Sequence, residues 1–438
     1  MELLLALALV LQVSAKPPIP AAESAKFRTA FAEALADPAA KRAKLVAQAN
    51  ALEAKYALDS LVAALRAGPK LVSGDPKPRS VGKQKEKLER IGDVTTGFLF
   101  ESGKDVYGYL VSVPKSYDPA KPVPVVLDPG HGTGAGKSLS EKADSMPYFR
   151  SSADDGGLAD ALVVRTEIIE QIGAGGLKGE RPEDEVAVVF DDFFRDLASR
   201  YAIDPDRVYA AGISQTGFWS WYLGRARPDR FAGLAPISAV TWQVDKYLDC
   251  YANLPVYVVH GENDPICNVA MPRRTTKLLK DLGFPITYVE IPGGEHGGVV
   301  FGRLSEALGS LSKTPRIAWP KHVRRALSTT KAPHAYWLEV TKLEKEGDGK
   351  AGSPPVATID AVVEGQVVTI TSKGIAAIEL SLSAELLDLD QPVEVVWNGK
   401  QVHASALAPS FASAVERALA MADWRGVGPC RLALQLAR

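Results

Sequence analysis

Arg207-Val208-Tyr209-Ala210-Ala211-Gly212-Ile213-Ser214-Gln215-Thr216-Gly217 is a β-branched and aromatic run that breaks at small residues around one serine. It continues into Phe218-Trp219-Ser220-Trp221-Tyr222-Leu223. The pattern predicts a strand, a tight turn and a helix. A serine at the tip of such a turn is held clear of the sheet, and the next helix offers backbone N–H groups and a positive dipole end to a developing oxyanion. Gly212 stands two before Ser214, whereas the position two after it is Thr216, with Gly217 one step late. A Ser/Gly-rich turn with no chemical role fits the same residues, so the decision falls to what lies downstream.

Downstream, Leu254-Pro255-Val256-Tyr257-Val258-Val259 is a continuous apolar run suited to a central parallel strand, and it ends in His260-Gly261-Glu262-Asn263-Asp264-Pro265. A second strand over residues 286–291 ends in Pro292-Gly293-Gly294-Glu295-His296-Gly297. Ser214, Asp264 and His296 therefore each follow a strand, in the chain order Ser, Asp, His. Singly, each has an ordinary explanation as a turn, a helix cap or a solvated loop histidine. Together they predict a nucleophile, an orienting acid and a base. Asp245, Asp249, Glu262 and His260 are nearby decoys for the acid and the base.

On these motifs, residues 97–311 resemble the α/β-hydrolase superfamily, and within it an esterase branch of polyhydroxybutyrate-depolymerase-like and feruloyl-esterase-like proteins. Tyr201-Ala202-Ile203-Asp204-Pro205-Asp206 before the turn, and Pro114-Lys115-Ser116-Tyr117-Asp118-Pro119 before Pro124-Val125-Val126-Leu127, are similar to that branch. The resemblance implies an α/β fold with a mostly parallel sheet and helices on both faces. It also implies carboxylic-ester hydrolysis without a cofactor or metal, and a small-molecule or polymeric ester as substrate. The loop His131-Gly132-Thr133-Gly134 resembles an oxyanion loop, in which the N–H of Gly132 or Thr133 joins that of Gln215. Trp242, after a strand at residues 231–238, is a candidate pocket wall. A prolyl-oligopeptidase-like peptidase shares the order of the triad, but the N-terminal block shows no propeller repeats. A non-catalytic binding protein on the same fold is the other alternative.

A phosphate-binding loop competes for Gly134-Ala135-Gly136-Lys137-Ser138. It fails because the first glycine of that motif falls on His131, and because Val186, Val189, Phe190, Phe193 and Leu197 mark one helix face where a magnesium-binding strand is needed. With 438 residues, 46% hydrophobic and net charge −1, the chain supports several domains, and its balance speaks against a nucleic-acid partner. Residues 3–13 are apolar and followed by Val13-Ser14-Ala15, a pattern of a cleaved export signal over 1–15 that is too short to span a bilayer, although Met1-Glu2 lacks the usual basic start. A secreted or periplasmic location follows.

Residues 16–92 read as two helices in a hairpin, over 22–35 and 39–65, and then a solvated linker over 74–92. The hydrolase domain is expected over 93–315, a linker over 316–335 and a β-rich accessory domain over 336–438, separable near Pro333. Trp337, Trp397 and Trp424 there are either core residues or a polymer-binding face. Cys250 and Cys267 are either a disulfide pair or separate buried thiols. No His, Cys or carboxylate cluster shows zinc-ligand spacing along the chain.

Overall fold

Nine strands form the central sheet of the computed structural model, which describes residues 16–36, 38–74, 76–86, 88–91, 95–130, 140–172, 183–241, 244–349 and 353–436. They are β1 (Glu89–Ile91), β2 (Thr95–Ser102), β3 (Asp105–Ser112), β4 (Val123–Asp128), β5 (Leu162–Thr166), β6 (Ile203–Ile213), β7 (Gly233–Ile237), β8 (Val256–Gly261) and β9 (Ile286–Ile291). Their order across the sheet is β1-β2-β3-β5-β4-β6-β7-β8-β9. Strands β4 to β9 run parallel to one another, and the pairs β1–β2, β2–β3 and β3–β5 are antiparallel.

Side-chain alternation explains why these segments form a doubly covered sheet. Along β6, Val208 and Ala210 enter one apolar cluster while Tyr209 and Ala211 enter another, and Val125, Val126 and Leu127 of β4 alternate in the same way. Because both faces are buried, the strands read as continuous apolar runs. The helices Glu183–Arg200 and Gln215–Ala226 cover one face, and Met146–Asp155 and Leu304–Leu311 cover the other. Phe218, Trp219, Trp221 and Tyr222 are all core residues of the first layer. The chain moves from β4 to β5 on one side and then to β6 on the other, which makes the ends of β4 and β6 the topological switch point of the sheet.

The N-terminal block holds three helices, Ala21–Ala36, Pro38–Glu53 and Leu58–Arg66, where two were expected. The break comes at Ala57, which is extended (φ −63°, ψ 134°) and donates its N–H to Pro17 O at 2.9 Å. The expected solvated linker also departs from the structure. Residues 80–85 form a small hairpin, Glu89–Ile91 joins the sheet, and Glu86 is buried. Glu86 accepts hydrogen bonds from Leu99 N (2.8 Å) and Arg79 N (3.0 Å) and pairs with Arg200 at 3.0 Å. An apparently solvent-facing Lys/Glu run thus supplies a buried counter-ion.

The C-terminal region is two sheets, one of five strands and one of four, around a core that contains Trp337 and Trp397. It starts earlier than expected, because His322–Leu327, within the span read as linker, pairs with Ala357–Glu364. Tyr336 and Trp337 form a turn between His334–Ala335 and Leu338–Leu343, with Tyr336 at φ +58°. Trp337 Nε1 donates to Pro320 O (2.6 Å) and Trp397 Nε1 to Ser372 Oγ (2.8 Å); with Trp424 also buried, these rings are core and not a polymer-binding face.

Cys250 and Cys267 are free thiols. They lie beyond opposite ends of β8, a strand of six residues and so about 20 Å long at 3.3 Å per residue, which is too far for a disulfide.

The last helix, Phe411–Met421, leaves the β sheets and packs among the N-terminal helices and the hydrolase core. Phe411 meets Phe27 at 5.2 Å between ring centroids, and Trp424 meets Phe31 edge-on at 6.1 Å. Arg316 pairs with Asp423 at 2.6 Å, and Arg230 donates to the carbonyls of Met421 and Ala422. Burial pushes the Asp423 carboxyl up, but Arg316 and Arg230 outweigh it and hold the group well below the usual carboxylate range. Its contribution to stability is therefore present above the ordinary carboxylate range and is lost only as pH falls through the depressed value.

Ending the chain after Pro333 removes this helix, and we expect no soluble folded protein from it, contrary to a separable accessory domain. Asp423→Ala leaves Arg316 buried without its partner and should cost about 3–5 kcal/mol in denaturant unfolding at neutral pH. A stable truncated chain, or an Asp423→Ala stability equal to wild type, contradicts the interlocked core.

Candidate active site

Ser214 follows β6 with φ +56° and ψ −117°, a backbone state that costs a non-glycine residue roughly 1–3 kcal/mol. Ser214 N donates to Ile237 O at 2.8 Å, and Phe218 N donates to Ser214 O at 3.0 Å, so the strained turn is pinned from strand and helix. A Cβ on Gly212 would stand 2.3 Å from the Thr216 carbonyl carbon, and one on Gly217 would stand 2.8 Å from Ala239 Cβ. Thr216 replaces the expected glycine without clash because its hydroxyl accepts from Ile213 N at 2.7 Å and donates to Ile213 O at 3.1 Å. The late glycine is thus the one the helix needs. Gln215 opens the helix Gln215–Ala226 and puts its N–H at the helix N-terminus beside Ser214. Ser238 also has positive φ (+46°), but it is fully buried, whereas Ser214 is half-buried.

Asp264 lies in the turn after β8, with its side chain shielded from solvent. Its Oδ1 accepts from the amides of Ile266 (2.9 Å) and Cys267 (2.8 Å), and its Oδ2 lies 2.7 Å from His296 Nδ1. Burial alone would raise the carboxyl, but these hydrogen bonds bring it below its ordinary value. An ionised Asp264 only accepts, so Nδ1 carries the His296 proton and Nε2 keeps its lone pair. The imidazole packs edge-on against Phe301, with ring centroids 5.5 Å apart.

The decoys are engaged elsewhere. Glu262 accepts from Gly293 N at 2.9 Å, Asp245 binds Thr275 and Arg274, and Asp249 faces Arg324. His260 is buried, and its Nε2–H donates to Cys267 O at 2.7 Å while standing 3.4 Å from Asp264 Oδ2. Burial lowers its pKa, so it supports the Asp264 turn as a neutral ring. No linear signal marked that role.

Cys267 also escaped the sequence reading as a neighbour of the Asp264–His296 pair: its amide holds Asp264 Oδ1, and its sulfur lies within 4.8 Å of an Asp264 carboxylate oxygen and a His296 ring nitrogen. Asp128 and Arg165 form a further unforeseen pair, at 2.6 Å, at the ends of β4 and β5. Gly130 (φ +82°) then packs so closely on Thr166 O that a Cβ would come within 2.1 Å, which fixes the exit of β4. The expected oxyanion donors Gly132 and Thr133, with His131, the phosphate-loop rival and Trp242, lie outside the described residues.

The Asp264 and His296 loops are braced together by Glu262 N to Ile291 O (3.0 Å) and Asn263 N to Gly294 O (2.8 Å). This approach requires glycine at 261, where a Cβ would meet Gly294 O at 2.4 Å. Gly261→Ala should therefore separate acid from base and lower ester turnover by on the order of 10²-fold, as a misplacement near 1 Å does, while the melting transition stays cooperative. Wild-type turnover in Gly261→Ala contradicts the brace.

No family model matches the chain. A thermostable esterase crystal structure superposes with TM-score 0.44 and 22% identity, covering 53% of this chain and 67% of that one. The chain is 26% identical to acyl-protein thioesterase 1 of Neurospora crassa over 126 residues, 26% of this chain and 51% of that protein. It is 27% identical to acyl-protein thioesterase 1 of Gibberella zeae over 143 residues, 30% of this chain and 60% of that protein. It thus spans little more than half the length of these curated relatives. These similarities select no branch; the strand order of the nine-stranded sheet gives the chain an α/β-hydrolase fold with a β-rich C-terminal region, and the esterase and thioesterase relatives agree with it.

Proposed function

We propose that the chain is a serine hydrolase that cleaves carboxylic esters through an acyl-enzyme. The observation that carries this reading is the 2.7 Å bond between Asp264 Oδ2 and His296 Nδ1, on the same sheet edge as Ser214 and its positive-φ turn. The thioesterase relatives, whose names denote acyl transfer to water, support it.

Ser214 Oγ attacks the ester carbonyl carbon as His296 Nε2 takes its proton. The tetrahedral oxyanion is held by Gln215 N–H, with Gly132 or Thr133 as second donor. His296 returns the proton to the departing alcohol, leaving an acyl group on Ser214. Water then gives a proton to His296, attacks the acyl carbon and releases the acid. Asp264 fixes the tautomer of His296 and stabilises the imidazolium. No cofactor enters this sequence of steps. Trp242 is assigned to the pocket wall, and export with loss of residues 1–15 belongs to the same reading on the strength of the sequence alone. Among the described residues no helix is long and apolar enough to cross a membrane.

Ser214→Ala and His296→Ala should each remove nearly all turnover of a small soluble ester, and Asp264→Asn should cost about 10⁴-fold in kcat. His260→Ala should cost far less, since its ring supports the turn and transfers no proton. Acid assignment fails if Asp264→Asn stays within about tenfold of wild type while Glu262→Gln is inactive.

The rate should rise with pH on its acid side, because only a neutral imidazole accepts a proton from Ser214. Asp264, held below the ordinary carboxylate range, stays ionised across that rise and adds no second limb. A profile that falls over the same pH interval contradicts His296 as base.

A further inference from the structure

We propose that Asp264, Cys267 and His296 form a binding site for a thiophilic divalent cation of the zinc type, and that occupation of this site switches off the Ser214 centre. A carboxylate oxygen of Asp264, the Cys267 sulfur and a ring nitrogen of His296 lie within 4.8 Å of one another. A mixed N, O and S donor set of this kind suits zinc. Bonds of about 2.0–2.3 Å in a tetrahedral site put the donor atoms about 3.3–3.8 Å apart, so the three must draw together by only about 1 Å.

The surroundings hold the donors in place. Asp264 is held by the amides of Ile266 and Cys267, and the Cys267 carbonyl is held by His260 Nε2 at 2.7 Å, as outer partners fix ligands in metal sites. His296 is presented to the other two by a loop that turns through positive φ at Gly293, Gly297 and Gly298.

On binding, the thiol sulfur forms a bond to the cation and releases its proton to solvent, with no change of oxidation state. The thiolate and the Asp264 carboxylate then balance the dipositive charge, and the His296 lone pair is no longer available to take the Ser214 proton. The linear order Asp264-x-x-Cys267 followed by a distant His296 shows no zinc motif, because the fold and not the spacing brings the donors together.

The inhibitory half of the proposal rests on the Ser214–His296 reading, whereas the binding half does not. The test titrates the full chain with Co²⁺, followed by absorbance, and with Zn²⁺, followed by ester turnover. Wild type should develop a thiolate-to-cobalt charge-transfer band that Cys267→Ser lacks and Cys250→Ser keeps. Zn²⁺ should inhibit reversibly, with activity restored by a chelator, and Cys267→Ser should raise the half-inhibiting concentration at least about tenfold relative to its own uninhibited rate. No band in wild type at saturating Co²⁺, or equal half-inhibiting concentrations in wild type and Cys267→Ser, overturns the proposal. A band that forms normally in a protein whose turnover survives Ser214→Ala upholds the metal site and removes the catalytic reading instead.

Discussion

The crowding of β6 against the helix that follows it governs this molecule. Gly212 and Thr216 pass so closely that no Cβ fits between them, and Gly217 is pressed in the same way onto Ala239. Ser214, the residue between these contacts, has no relaxed conformation open to it and takes φ +56°. The strain is held by the sheet through Ile237 O and by the helix through Phe218 N, so it is sustained by the whole α/β layer. A half-buried hydroxyl beside a helix N-terminus is the consequence. A second crowded approach, Gly261 against Gly294, holds the Asp264 and His296 loops together. Both contacts lie at strand ends, where the parallel sheet delivers its loops to one edge.

The two chain termini complete the core that supports this edge. Phe27 and Phe31 from the N-terminal helices, and Phe411 and Trp424 from the last helix, share one apolar cluster with the face of the sheet that carries Val208 and Ala210. Buried ions tie the same region: Arg200 with Glu86, Arg227 with Asp191, and Arg316 with Asp423. Such pairs add little net stability over apolar packing, but losing one partner leaves a bare buried charge. Their effect is therefore to fix which segments dock where. The β sheets, which look separable along the chain, are bracketed by elements that are not.

Local signals were enough for the sheet, and they nominate the three candidate residues, because strand ends, turn glycines and helical periodicity are short-range features. Ser214, Asp264 and His296 each carry such a signal, and the structure places Asp264 and His296 in contact. What the sequence did not reveal depends on partners far along the chain. Glu86 looks solvated until Arg200 is found across the sheet, and the final helix looks like part of a β module until its Phe411 meets Phe27. The break at Ala57 depends on Pro17, and the separation of Cys250 from Cys267 depends on which end of β8 each occupies. Cys267 and His260 were visible as residues, but their contacts with the Asp264 side chain appear only in the folded chain.

The central claim is that Ser214 is the activated nucleophile, and covalent labelling tests it most directly. After treatment of the folded protein with an organophosphonate, peptide mapping by mass spectrometry should find a single adduct, on Ser214, and none when His296 is replaced by alanine. An adduct on Ser238 or another serine, or an unlabelled protein that still turns over ester, contradicts the account.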